Sequence, residues 1–118
     1  MKTYEKAATA FRMAVRLDSK SGIYRASLIS VLRKLGHGNE ADEEVISARE
    51  LIAKDIEYCR ARFAAIMGDE EEALTLLRMA LEKKQVNNDW PGRDPDFNSL
   101  RNDPGFMALM EEMKPRPM

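Results

Sequence analysis

Tyr4, Ala7, Ala8, Phe11, Ala14 and Val15 fall at helical spacing, with Glu5, Lys6, Thr9, Arg12 and Arg16 turned to the other side. Asp18-Ser19-Lys20-Ser21-Gly22 then reads as a stop and a turn. The pattern resumes from Ile23 to Leu35 and ends at Gly36-His37-Gly38, where glycine supplies a left-handed cap. A third helix, expected to be capped by Asn39, carries Ala41, Val45, Ala48 and Ile52 as its apolar stripe. A fourth stops at Gly68. Asp69 is placed to cap a fifth, with Glu70, Glu71 and Glu72 beside its positive end.

Beyond Lys84 the character changes. Residues 85–92 hold Asn87-Asn88-Asp89 and Pro91-Gly92, the composition of a loop. Asp94-Pro95 and Asp103-Pro104 each set a capping aspartate before a proline at the first helical position. The expected elements are helices over 3–18, 23–35, 39–53, 56–67, 70–84, 95–101 and 104–113, forming one all-α domain over 1–113 with a frayed tail at 114–118.

Three of these segments align with one another. Tyr4-Glu5-Lys6-Ala7-x3-Phe11-x2-Ala14, Asn39-Glu40-Ala41-x3-Val45-x2-Ala48 and Glu71-Glu72-Ala73-x3-Leu77-x2-Ala80 place a small residue, a larger apolar residue four positions on, and a second alanine. Ala7, Ala41 and Ala73 are 34 and then 32 residues apart, and Gly36 and Gly68 are also 32 apart. A small residue lets two helices cross closely, and a single helical hairpin cannot cover its own apolar face, so such units stack.

The pattern resembles the tetratricopeptide (TPR) repeat, a helix–turn–helix unit, over roughly residues 1–84. The resemblance implies a helical solenoid of about two and a half repeats. This sequence has Arg25 and Glu57 where the family favours an aromatic, and Ser19 and Ala53 where a proline closes the unit. The stretch Asp94 to Leu109 resembles the capping segment that ends many bacterial TPR arrays. In that role Phe97, Leu100, Phe106 and Leu109 cover the fifth helix, with Trp90 packed beside them. The first helix resembles the second half of a repeat, so the face bearing Tyr4 and Phe11 is expected to be only partly covered and to meet another copy or another domain.

In proteins of that family the first helices of successive repeats line a concave groove that grips a peptide or partner helix. Carried over, the groove face is Ile23, Ala26, Ser27, Ser30, Arg33 and Lys34 on the second helix, and Asp55, Tyr58, Cys59, Arg62 and Ala65 around the fourth. Arg33, Lys34 and Arg62 would attract an acidic ligand and Tyr58 would anchor it. The family members that clamp a chaperone's C-terminal carboxylate use Lys and Asn where this chain has Ala26, Ser30, Tyr58 and Arg62, so that subclass is disfavoured.

Charge and chemistry narrow the choice further. With 19 Lys+Arg against 20 Asp+Glu, the chain lacks the basic excess of a non-specific nucleic-acid binder. A nucleic-acid role would need Arg12, Arg16, Arg25, Arg33 and Arg62 to share one face. His37 lies between two glycines in a turn, a poor setting for a general base. Cys59 is the single cysteine; no Cys/His spacing points to zinc, and a reducing, cytoplasmic setting follows. No apolar run is long enough for a signal peptide or a membrane span. The expectation is a protein-binding module with no catalytic residue, metal or cofactor, or alternatively a homodimer or structural subunit joined through Tyr4 and Phe11.

Overall fold

The computed structural model describes residues 2–114, with only the backbone of Lys2, and among them every regular element is helical. The helices are α1 (Lys2–Leu17), α2 (Gly22–Lys34), α3 (Gly38–Ile52), α4 (Glu57–Ile66), α5 (Glu70–Glu82), a 3-10 helix (Pro95–Leu100) and α6 (Pro104–Glu112). Most of the expected frayed tail, residues 115–118, lies outside the described residues. The packing divides into two compact units, Met1–Asp55 and Ile56–Met118.

In the first unit α1 and α3 each pack on α2. Ser21 starts α2, its hydroxyl accepting from the Tyr24 amide at 3.1 Å. Gly22 is buried against Ile52: a β-carbon there would sit 3.2 Å from the Ile52 side chain, so glycine lets the two helix ends close. α2 ends in a left-handed turn at Gly36 (φ +80), where the His37 amide donates to the Leu32 carbonyl at 2.8 Å. His37, not Asn39, occupies the N-cap of α3, and it makes no side-chain capping bond. Ala8, Ala26, Ile29, Leu32, Ala41, Ala48 and Ile52 are buried. Among the described side chains of α1 only Ala8 is fully covered; Ala7, Phe11 and Ala14 are half-buried.

The second unit repeats the device. α4 and α5 pack on each other and are joined at Gly68 (φ +84), where the Asp69 amide donates to the Ala64 carbonyl at 2.8 Å. Asp69 does stand at the N-cap of α5, though its carboxylate accepts no capping bond. Ala61 and Ala65 on α4 and Ala73 and Ala80 on α5 are buried, the small residues that let backbones approach. α5 ends at Glu82, short of the expected Lys84, because Lys84 turns left-handed (φ 57) and the Gln85 amide reaches back to the Ala80 carbonyl.

The C-terminal segment completes this core. Asp94 accepts from the Asp96 amide and Asp103 from the amides of Gly105 and Phe106, so both Asp-Pro pairs start a helical turn. The first is a 3-10 helix packed on α4; α6 packs on α5. Phe97 stands between Tyr58 and Phe106, with ring centroids 5.9 and 6.0 Å away, and Leu100 and Leu109 are buried in the same cluster. Trp90 departs from expectation: it is 45% exposed and lies outside that cluster.

Candidate functional surfaces

On α2, Ile23, Ser27, Ser30 and Lys34 follow the four, three, four spacing of a single helix face. The first three are half-exposed and Lys34 is exposed, as is its neighbour Arg33. Lys34 also lies over the ring of Tyr4 at 5.3 Å. No ion pair among the described residues engages Arg33 or Lys34. Two cations at the C-terminal end of a helix favour the helix dipole and leave their charge open to an anionic partner. Ala26 is wholly buried, so it is a packing residue and not part of any wall a ligand touches.

The residues expected on α4 serve packing instead. Tyr58 is buried, and its hydroxyl donates to Asp94 Oδ2 at 2.5 Å. Arg62 donates through Nε to Asp96 Oδ2 at 2.8 Å, lies 3.6 Å from Asp94 Oδ2, and stacks over the Tyr58 ring at 5.8 Å. Burial, followed by the bond to Asp94 and its charge, pushes the Tyr58 phenol far above the usual tyrosine range. Burial works against the charge on Arg62, but the bond to Asp96 and the two carboxylate charges outweigh it and raise its pKa. Tyr58 and Arg62 therefore clamp the 3-10 segment to α4, and neither is left as an anchor or a free cation for a ligand. Cys59 is half-buried and Ala65 buried on the same helix, and Asp55 is exposed at the end of the first unit.

That clamp has no obvious mark in the sequence beyond the capping aspartate. Asp94 was expected to cap, and with one oxygen it does; the other oxygen is the one that reaches α4. Gln85 forms a second tie. Its carbonyl accepts from the Tyr58 amide at 2.9 Å and its amide donates to Glu57 at 2.8 Å, while Lys83 pairs with the same carboxylate. These bonds hold the Glu57 carboxyl down at a pKa of about 2.

An open recess of about 340 Å3 lies beside α6, floored by Phe106, Met107 and Met110. Its rim cations are already engaged. Arg101 donates to the carbonyls of Gly92 and Asp94 and to the Asn98 side chain, and Lys114 pairs with Glu111 at 2.8 Å.

Tyr4 and Phe11, the residues expected to mediate self-association, are half-buried. The large apolar side chains that α1 leaves in water are Met13 and Leu17, 55% and 83% exposed, and on α3 Ile46 is 68% exposed. Of the five arginines a nucleic-acid face would need, Arg12 pairs with Glu40, Arg25 with Glu44 and Arg62 with Asp96. His37 is exposed. Among the described residues no group of three or more His, Cys, Asp or Glu is placed to hold a metal ion, and no helix is long and apolar enough to cross a membrane. Compared with protein-family models, with curated proteins and with solved structures, the chain matches none.

Proposed function

We propose that this chain is a protein-interaction module built from TPR-like helical hairpins, and that it binds an acidic peptide or partner helix along the exposed face of α2. The observation that carries the reading is the recurrence of one hairpin design. Gly36 and Gly68, 32 residues apart, both end a helix with positive φ, and each is followed by a helix whose alanine pair, Ala41 with Ala48 or Ala73 with Ala80, has no exposed surface. Units that share a packing seam and differ on their outer faces are suited to presenting a binding surface. Ile23 provides an apolar foothold, Ser27 and Ser30 provide hydroxyl donors and acceptors, and Arg33 with Lys34 provide the charge. A reducing, cytoplasmic setting suits the single, half-buried Cys59.

The test uses peptides selected from a display library against the full chain, measured by calorimetry. Acidic peptides should emerge, and the double substitution Arg33→Glu/Lys34→Glu should weaken their binding at least about tenfold, as loss and reversal of two charge-assisted contacts requires. Unchanged affinity in that variant, or selection of peptides with no acidic bias, would remove α2 as the binding face.

A further inference from the structure

The first unit is electrically divided. Residues 3–34, covering α1, α2 and the turn between them, carry seven Lys or Arg against two Asp or Glu; residues 38–52 of α3 carry five acidic side chains against one basic. Two internal pairs join the halves, Arg12 with Glu40 at 3.0 Å and Arg25 with Glu44 at 2.8 Å. The charge that remains flanks the exposed apolar side chains. On α1, Lys6, Ala10, Met13 and Leu17 form one exposed line, with Arg16 and Lys20 within a turn of Leu17. On α3, Glu43, Ile46 and Glu50 form another, the isoleucine standing between two carboxylates one turn away on either side.

We propose that these two faces are the two halves of one contact between copies of this chain, with Ile46 of one copy seated against Met13 and Leu17 of the next. Apolar side chains of this size left in water gain by mutual burial. The basic border of one line meets the acidic border of the other, so opposite charges ring the contact and like charges disfavour pairing α1 with α1 or α3 with α3. The faces share no residue. Paired reciprocally, α1 of each copy on α3 of the other, the contacts close a twofold dimer; paired one way, each copy keeps an open face and assembly continues past the dimer.

The prediction is read by sedimentation velocity on the full chain over a wide concentration series. The mean mass should rise above that of the monomer with concentration and fall when salt is added, because exposed charges are screened. Leu17→Glu and Ile46→Asn, both at exposed positions that leave the helical circular-dichroism signal intact, should each weaken association about tenfold or more and yield monomers. Mixed in equal amounts, they should form a dimer and nothing larger, since each variant retains the face the other has lost. A wild-type chain that stays monomeric at every concentration overturns the proposal. So does a mixture that stays monomeric while the wild type associates, or a pair of variants that assemble as the wild type does. Neither substitution touches the α2 face, so these outcomes are independent of peptide binding.

Discussion

Replacing Tyr58 by phenylalanine removes a single oxygen and leaves the ring between Arg62 and Phe97 in place. What is lost is a 2.5 Å bond to a carboxylate that is only 4% exposed. Hydrogen bonds to charged groups contribute about 1.5–3 kcal/mol, and a buried acceptor that loses its donor keeps its desolvation cost. Asp94 retains the Asp96 amide on its other oxygen and Arg62 3.6 Å from the affected one, which tempers the loss. Tyr58→Phe should therefore destabilise by about 2 kcal/mol. In urea unfolding followed by circular dichroism, that shifts the midpoint down by roughly 1 M at the slope usual for small proteins. A double-mutant cycle with Asp94→Ala, which removes the acceptor altogether, should return most of the loss as coupling between the two sites. A change under about 0.5 kcal/mol, or a cycle with no coupling, would show that the clamp does not hold the C-terminal segment.

Gly68→Ala should cost about 1 kcal/mol from the backbone alone, because φ is +84 and nothing lies within 4 Å of the added β-carbon; urea midpoints measure it. Ala73→Leu should cost more, about 1–3 kcal/mol, by forcing bulk into the closed α4/α5 seam, whereas Trp90→Ala at an exposed position should stay within about 0.5 kcal/mol in the same assay. Glu57 is held at a pKa of about 2 by its bonds from Lys83 and Gln85, so the stability it lends is present above the usual glutamate range and is lost as pH falls through about 2; Glu57→Gln should flatten that acid limb. Tyr58 behaves in the opposite sense: its pKa is raised, so its contribution is intact below the usual tyrosine range and fails as pH rises through the elevated value, with its absorbance change arriving together with unfolding.

The helices were legible because their local signals agree. Apolar spacing, glycines at Gly36 and Gly68 and the two Asp-Pro pairs each mark an end, and the observed boundaries lie within one or two residues of those expected. α5 is shorter than its pattern because Lys84, a residue that rarely takes positive φ, is forced there by the turn into residues 85–92. Surfaces were less legible. Repeat register placed Tyr58 and Arg62 on an outer face of α4, and it carries no information about a later segment that folds back and covers them. Likewise the α1 stripe from Tyr4 to Val15 marks the packed side, and Met13 and Leu17, which stand off that stripe, are the large apolar side chains that α1 exposes. The capping resemblance packs Trp90 beside Phe97 and Phe106, but the tryptophan lies in the loop before the first Asp-Pro pair and stays 45% exposed.

The most direct measurement of the binding account is an amide NMR titration of the full chain with a selected acidic peptide. Shifts concentrated on Ile23 to Lys34, and abolished by Arg33→Glu/Lys34→Glu, are the expected result. Shifts gathered at the α6 recess or along α1, with α2 silent, would contradict it.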